Sequence, residues 1–282
     1  MRSLLSPTRT TNEATAPGAS RPRSGLRPRP WAGLRRTLTT AGLGAAALVM
    51  VLPAVAVADV IPALPQNADG LEQTFSPAFD YDGDGCYATA AISGSGVLNP
   101  GLKPGGAVNG HCRDYAQLQN SNTYSREKCN NGWCAVMYAG YFEKDQATLG
   151  PLAIGHRHDF EHVVVWIKDN EVQYVSTSQH SGWKWYPRSQ VRFDGTHAKV
   201  VYHKDGASTH FYRLANGNDE PAENHTGNWF YPRLVGWNGY PAGLRDKLMN
   251  ADFGSATIKI TDGRFGDALN ASKPPIPFDP YA

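Results

Sequence analysis

The first 58 residues contain almost no acidic side chains. Glu13 is the only one against eight arginines, and a largely apolar run over residues 38–57 leads to Ala-Val-Ala at 56–58. A basic segment, an apolar segment and a small-residue cleavage site, in this order, predict a signal peptide over residues 1–58. The Arg35-Arg36 pair permits a twin-arginine export route. An N-terminal membrane anchor is the alternative, because the apolar run is nearly long enough to span a bilayer.

Residues 59–282 lack an excess of basic side chains. The whole sequence has 27 Lys+Arg and 25 Asp+Glu, but 19 and 24 remain after residue 58, a net charge of −5. A mildly acidic chain argues against nucleic acid as a partner and against simple electrostatic attraction to an anionic bilayer. We therefore predict that any membrane contact involves a specific headgroup. With no internal repeat, this length suits a single domain.

Motifs of the common hydrolases are also absent. There is no HExxH of the zincins, and the GxSxG of serine hydrolases is missing, since the glycines of 93–96 have the wrong spacing. We predict that the protein is not an enzyme, with a secreted metal-dependent hydrolase as the runner-up. A carbohydrate-binding module is the third candidate, and four tryptophans favour it: Trp183, Trp185, Trp229 and Trp237.

Cysteines are few, and all four lie in the part that we expect to be exported: Cys86, Cys112, Cys129 and Cys134. An even number in an exported chain indicates two disulfides, and the sequence alone allows three pairings. A zinc site is the alternative. However, the Cys129-x4-Cys134 spacing has no second matching pair at zinc-finger distance.

Long helical patterns are scarce, whereas short runs of Val, Tyr, Phe and Trp alternate with turn residues from position 134 onward. They predict strands over residues 134–142, 162–167, 172–176, 199–203, 210–214 and 256–260. Residues 168–171 look like a hairpin turn, and helices are predicted at 241–251 and 114–119. We therefore predict a mainly β fold, a single-domain β-sandwich with a few peripheral helices. Residues 272–282 should form an extended tail.

The densest charge cluster reads Gly-His-Arg-His-Asp-Phe-Glu at 155–161 and runs directly into the apolar segment 162–167. Unpaired charges at the start of a buried strand are costly, so a bound cation would compensate them. Strand alternation places Asp159 and Glu161 on one face, and two carboxylates suit Mg²⁺ or Ca²⁺. His156 has the opposite parity and can join them only if the backbone bends, which Gly155 permits.

A second acidic cluster copies the first half of an EF-hand calcium loop through Asp80, Asp82 and Asp84, followed by Gly85. The twelfth position would be Ala91 instead of Glu, so a true EF-hand is rejected. A smaller calcium loop and a solvated Asp-Gly turn remain the two alternatives.

The heptapeptide at 155–161 resembles the hallmark of the necrosis- and ethylene-inducing-peptide-like proteins, or NLPs, a family of secreted cytolysins. Their consensus is GHRHDWE, and Phe160 replaces the tryptophan here. The flanking segments at 135–145, 234–239 and 251–256 are similar too, so the resemblance runs from about residue 80 to about residue 261. It implies a β-sandwich and an NLP-type necrosis-inducing domain over residues 59–282.

The resemblance also implies a metal site formed by four residues: Asp145, His156, Asp159 and Glu161. The cation would be Mg²⁺ or Ca²⁺, and His210 is a weaker candidate for a partner behind the ligands. The segment 146–154 between the first two ligands looks a little longer than is usual in the family. Among the three cysteine pairings, the resemblance favours Cys86–Cys112, which leaves Cys129–Cys134 as a small local loop.

The function that the resemblance implies is that of a secreted, metal-dependent cytolysin. Its partners would be glycosylated inositol phosphoceramide sphingolipids at the plant plasma-membrane surface, and its effect would be membrane damage and necrosis. Physically, carboxylates would hold a cation with open positions for sugar hydroxyls, and aromatic loops would then meet the bilayer.

Overall fold

The computed structural model of the protein describes residues 60–68, 70–180 and 182–282. The signal peptide predicted for residues 1–58 lies outside these ranges. The described chain forms two β-sheets that share one buried layer, with short helices at their margins. The predicted mainly β sandwich is therefore confirmed. No helix in these ranges combines the length and the apolar character that crossing a bilayer requires.

Ten strands and four α-helices make up the regular structure of the described residues. The strands are β1 (Ala78–Tyr81), β2 (Asn122–Asn130), β3 (Trp133–Gln146), β4 (Gly155–Lys168), β5 (Glu171–Gln179), β6 (Gly182–Pro187), β7 (Phe193–Asp194), β8 (His197–Lys204), β9 (His210–Leu214) and β10 (Arg233–Gly236). The helices are α1 (Gly70–Thr74), α2 (Tyr115–Gln119), α3 (Leu244–Met249) and α4 (Phe265–Ser272). The larger sheet has the order β10-β2-β3-β4-β5-β6, and in the smaller sheet β8 pairs with β1, β7 and β9.

Strands β3 and β4 form the centre of the larger sheet, and both of its faces are covered. Val163 and Val165 lie in the layer between the two sheets, together with Tyr202 of β8. Trp166 belongs to the opposite layer, where its ring meets Phe278 edge to face at 5.3 Å. Because both faces are buried, β4 reads as a continuous apolar run in place of an alternating one.

The hairpin turn predicted at residues 168–171 is confirmed. Lys168 and Glu171 are paired across β4 and β5. Asp169 and Asn170 between them have φ values of 52° and 60°, the left-handed pair that a two-residue type I′ hairpin requires. Asparagine and aspartate tolerate this conformation better than most residues.

Three sequence predictions need correction. Residues 256–260 are not a strand, because they form no β-ladder with another strand. The Lys259 amide donates instead to His162 Nε2 at 3.0 Å. The helix predicted from residue 241 begins only at Leu244, because Gly243 with φ 75° interrupts it. The predicted C-terminal tail is not free of the core, since Ile276 and Phe278 are buried in it.

Both disulfides have the pairing that the family resemblance implies. Cys86 is bonded to Cys112 across 26 residues, and Cys129 to Cys134 across 5. Cys129 and Cys134 stand opposite each other on β2 and β3, so the ladder already holds them together. The longer bridge joins the loop after β1 to the segment before α2, and no β-ladder connects these two segments directly.

We expect Cys86→Ser to destabilise the protein more than Cys129→Ser. In the chain-entropy account, closing a loop of 26 residues removes about 3.5 kcal/mol of unfolded-state entropy, against about 2 kcal/mol for 5 residues. Denaturant unfolding of the two single variants measures the difference. Each is compared with the double variant in which both cysteines of the same disulfide are replaced by Ser. Equal losses in unfolding free energy would contradict this expectation.

Candidate metal centre

The site lies where β3 ends and β4 begins. Asp145 and His156 are cross-strand partners there, and Asp159 follows three residues after the histidine. One potential ligand atom from each of the three lies within 4.8 Å of the others, the one such group among the described residues. Asp145 and Asp159 are 2% and 5% exposed, whereas the His156 side chain is 34% exposed and lies at the mouth. The structure thus brings three of the four predicted ligands together.

His156 joins the carboxylates because the backbone departs from a regular strand on both sides of it. Gly155 has a φ of 145° and His158 a φ of 61°, so the strict alternation of side chains is lost between Gly155 and Asp159. Gly155 is also required for space, since a Cβ there would lie 2.2 Å from the Asp145 carbonyl oxygen. The sequence permitted a bend at Gly155. The structure has a second bend at His158, which the sequence did not indicate.

The imidazole of His156 is oriented by its own strand. His156 Nδ1 lies 2.6 Å from the His158 carbonyl oxygen. Only a protonated Nδ1 can donate to a carbonyl, so Nε2 of the neutral ring carries the free lone pair. Nε2 lies 3.8 Å from Asp145 Oδ2 and points toward the carboxylates. A ring nitrogen fixed in this way is the usual arrangement of a metal-binding histidine.

His210 holds Asp145 from behind. Its backbone N–H donates to both carboxylate oxygens at 3.0 and 3.1 Å, and its Nδ1 lies 2.7 Å from Oδ1. Its ring stacks on Tyr202, whose hydroxyl donates to Asp159 Oδ2 at 3.1 Å. Two neighbouring carboxylates are thus oriented by one stacked pair from the smaller sheet. This arrangement agrees with the supporting position predicted for His210.

Glu161 lies on the wall of the same cleft, outside the group whose atoms are within 4.8 Å of one another. The Ser178 hydroxyl donates a short hydrogen bond to its carboxylate. Lys259 is the one lysine that lines the cleft, which has a volume of about 360 Å³. The cleft therefore holds three carboxylates, one lysine and the rings of His156, His180 and His210. Its carboxylate oxygens are hard ligands, which fit Mg²⁺ or Ca²⁺.

The carboxylates strongly disfavour one another's charge. Burial raises the pKa of Asp159 well above its usual value, and the negative charges of Glu161 and Asp145 raise it further. Burial likewise raises the pKa of Glu161 to about 8, although Ser178 and Lys259 oppose the shift. A bound cation would relieve this repulsion between the carboxylates. Without a cation, protons bound to the carboxyl groups relieve it.

These shifts predict how the pH affects stability. Without metal, stability should fall as the pH rises from about 4.5, the ordinary glutamate value, to about 8, the folded pKa of Glu161. In that window the folded state binds more protons than the unfolded chain, so raising the pH favours unfolding. Excess Mg²⁺ or Ca²⁺ should remove the fall, because the cation replaces the protons.

Thermal midpoints at pH 5 and pH 8, with chelator and with excess cation, measure this effect. Glu161→Gln is the control, because it removes the titration of Glu161 itself together with the effect of the Glu161 charge on Asp159, and leaves the more distant titrating groups in place. Identical pH profiles for the chelated wild type and Glu161→Gln would show that Glu161 does not hold the proton.

The predicted calcium-loop residues are dispersed. Asp80 is buried and accepts hydrogen bonds from the Glu223 amide and the Asn224 side chain. Asp82 pairs with Arg213 at 3.2 Å. Asp84 is exposed and lies 3.8 Å from His210 Nε2. Within the described ranges the three form no group with metal-ligand spacing, so calcium binding at this loop stays a prediction.

The tryptophans that favoured a carbohydrate-binding module do not form one platform. Trp237 is covered by the guanidinium groups of Arg126 and Arg245, at 4.0 and 4.7 Å from its ring centre. The Trp229 indole donates to Glu220. Among the described residues that line the cleft there is no tryptophan. Ser178, Tyr202 and Lys259 were not found from the sequence. Ser178 reaches the carboxylates from β5 beside β4, Tyr202 from β8 of the smaller sheet, and Lys259 from a segment outside both sheets.

Phe160 lies on the strand face opposite Asp159. Its ring packs against Tyr141 and Phe253, with centroids 5.2 Å away in both cases. It is 3% exposed and belongs to the layer beneath the larger sheet. These contacts are apolar, which favours a packing role over a role in holding the cleft.

We therefore expect Phe160→Trp to leave the metal site nearly unchanged. Enlarging the ring in this buried layer should cost about 1–3 kcal/mol in unfolding free energy, while the metal Kd should change by less than tenfold. Calorimetric titration with Mg²⁺ or Ca²⁺, beside vesicle leakage, measures the effect on the site, and denaturant unfolding measures the effect on stability. A gain of about 1.4 kcal/mol in metal affinity would mean that the natural phenylalanine weakens the site.

Comparison with known families identifies relatives of this chain. The family described as "Necrosis inducing protein (NPP1)" matches residues 69–272. A relative from Phytophthora nicotianae, the necrosis-inducing protein NPP1, is 32% identical over 215 residues, which cover 73% of this chain and 85% of the relative. NLP effector protein 10 of Phytophthora capsici is 33% identical over 193 residues, 66% of this chain and 76% of the relative.

Solved structures show the same fold. NLPPya in complex with mannosamine has a TM-score of 0.65 and 32% identity, and the match covers 76% of this chain and 97% of that one. A structure described as the non-toxic HaNLP3 protein has a TM-score of 0.64 and 28% identity, with coverage of 77% and 98%. The fold is thus shared with a protein that is described as non-toxic.

Proposed function

The chain belongs to the necrosis-inducing protein (NPP1) family, and from this premise we propose that it is an exported, metal-dependent cytolysin that binds sphingolipid headgroups of plant membranes. The observation that carries the proposal is the cleft in which Asp145, Asp159 and Glu161 lie beside His156. These residues would hold Mg²⁺ or Ca²⁺, which supplies open coordination positions for sugar hydroxyls when bound.

The neighbouring structures support a sugar as the ligand. NLPPya was solved in complex with mannosamine and also with glucosamine, at 32% and 31% identity to this chain. Glycosylated inositol phosphoceramides present sugar units of this kind on an inositol phosphate. The side chains of Lys259, Thr209 and His180 line the same cleft and can hydrogen-bond to sugar hydroxyls.

Export is supported by the two disulfides, which persist in oxidising compartments. We also propose that the site binds without catalysing a reaction. Asp159 and His156 would hold the proposed cation, with Glu161 on the wall beside them, so the His156 ring would not be available as a free base. Membrane damage would follow from binding at the surface of the outer leaflet.

Dye release from vesicles tests this proposal. Vesicles of phosphatidylcholine, sterol and glycosylated inositol phosphoceramide should leak in the presence of Mg²⁺ or Ca²⁺, and should stay intact with chelator. Vesicles without the sphingolipid should not leak in either condition. Leakage that ignores both the cation and the sphingolipid would refute the proposal, and product release from a glycan or ester panel would favour a hydrolase.

A further inference from the structure

The turn that joins the two ligand strands has an unusual surface. It covers residues 147–154, and its three large aliphatic side chains are turned to solvent: Leu149 is 72%, Leu152 91% and Ile154 67% exposed. In the described ranges these are the only leucines and the only isoleucine that are strongly exposed. Residues 147–155 contain no charged side chain. Exposed apolar groups gathered in this way mark a contact surface.

The aliphatic turn is held in place by hydrogen bonds. The Ala147 amide donates to the Ile154 carbonyl at 2.8 Å, and the Ile154 amide donates to Thr148 Oγ1 at 2.9 Å. Gly150 and Gly106 exchange a pair of backbone hydrogen bonds at 2.9 and 3.1 Å. The turn is therefore fixed at both ends and at Gly150, so the exposure of its side chains is a property of its folded conformation.

The aliphatic turn also stands next to the cleft. β3 ends at Gln146 and β4 begins at Gly155, so only one residue separates each end of the turn from Asp145 and His156. A headgroup in the cleft would bring the turn to the membrane surface.

The chemistry of the turn fits a bilayer better than a protein partner. A stable protein interface buries about 800 Å² per partner and is anchored by aromatic residues or arginine, whereas this turn offers three aliphatic side chains on a neutral segment. Residues 59–282 have a net charge of −5, so electrostatic attraction to anionic lipid cannot hold the protein at a membrane. Apolar contact is the remaining general source of membrane affinity.

We propose that Leu149, Leu152 and Ile154 insert into the outer leaflet as an apolar anchor beside the sugar-binding cleft. The choice of a lipid membrane rests on the proposed function, and the three residues deepen it by adding a contact that is independent of the headgroup. Insertion would place the side chains at the boundary between headgroups and acyl chains, while the hydrogen-bonded backbone of the turn keeps its shape.

A triple variant, Leu149→Ser with Leu152→Ser and Ile154→Ser, tests the anchor. Partitioning onto phosphatidylcholine vesicles that contain glycosylated inositol phosphoceramide should fall at least about 100-fold, since three apolar side chains are lost from the contact. The insertion pressure into a pure phosphatidylcholine monolayer should fall as well. Metal affinity, binding of soluble glucosamine and the thermal midpoint should stay at wild-type values, because the three side chains are exposed.

Val97→Ser is the matched control, since Val97 is aliphatic and 58% exposed but lies on another loop. It should keep wild-type partitioning and insertion pressure. If the wild type enters phosphatidylcholine monolayers but shows no preference for the sphingolipid, the headgroup proposal fails and the anchor stands. If the triple variant partitions and inserts like Val97→Ser, or if the wild type enters no monolayer, the anchor is refuted.

Discussion

Asp159→Asn should abolish metal binding while leaving the fold intact. Asp159 contributes one of the three ligand atoms that lie within 4.8 Å of one another. Changes to groups that only hold the ligands already cost about 10–100-fold in affinity, so loss of a carboxylate ligand should raise the Kd for Mg²⁺ or Ca²⁺ by at least about 100-fold. Lysis of sphingolipid vesicles should be lost with it. Asparagine keeps an oxygen for the Tyr202 hydroxyl that donates to Asp159.

The same variant should be more stable than the wild type when metal is absent. Asp159 carries a strongly raised pKa because burial and the neighbouring Glu161 and Asp145 disfavour its charge, and asparagine removes that repulsion. With cation at about 100 times the Kd, the wild type gains about 2.7 kcal/mol, or roughly 5–10 °C for a domain of this size. Asp159→Asn should gain almost nothing, so the order of the two thermal midpoints reverses when metal is added.

Asp246→Asn is the matched control, because its side chain is 79% exposed and lies on α3, outside the cleft. It should respond to metal as the wild type does. Wild-type lysis by folded Asp159→Asn would refute the metal-centred mechanism. An unchanged Kd would show that the cation binds elsewhere.

Fold similarity does not by itself establish toxicity. The chain resembles NLPPya and the non-toxic HaNLP3 protein almost equally, with TM-scores of 0.65 and 0.64. A protein described as non-toxic has the same fold, so the sandwich alone does not confer toxicity. The segment 147–154, with its exposed aliphatic side chains next to the ligands, is a feature of this chain to test alongside the cleft.

Much of the site could be predicted because its ligands are local in the sequence. His156, Asp159 and Glu161 belong to one heptapeptide, and strand alternation already places the two carboxylates on one face. The partners from distant strands could not be predicted in this way. His210 was named only as a weaker candidate and Tyr202 was not named, because both reach the carboxylates only through the packing of β8 and β9 over β3 and β4.

The missed strands have a similar cause. Residues 122–130 form β2, although they carry Ser, Arg, Glu, Lys and Asn, because residues 123–130 pair with the largely apolar β3 opposite. Conversely, residues 256–260 alternate like a strand but pair with no other strand, and Ala256, Thr257 and Lys259 line the cleft instead. In both segments, the presence or absence of a neighbouring strand to pair with determined whether a strand forms. A local sequence pattern does not carry this information.

Gly155→Ala should disrupt the site and the fold together. A Cβ at Gly155 would lie 2.2 Å from the Asp145 carbonyl oxygen and 2.8 Å from Gln146 Cα, both backbone atoms that cannot move aside as a side chain can. The residue also has a φ of 145°, a region that alanine rarely adopts. Backbone strain of about 1–3 kcal/mol and overpacking of about 1–3 kcal/mol together predict a loss of about 4 kcal/mol in unfolding free energy.

Gly150→Ala separates the two causes. Gly150 also has a positive φ, 97°, but a Cβ there would meet no atom within 4 Å. It should therefore show the strain without the clash, lose about 1–2 kcal/mol and keep its metal affinity. Gly155→Ala should in addition displace Asp145 from His156 and weaken metal binding in whatever fraction remains folded. Equal losses of stability and equal metal affinities in the two variants would show that close approach at Gly155 is not what positions Asp145.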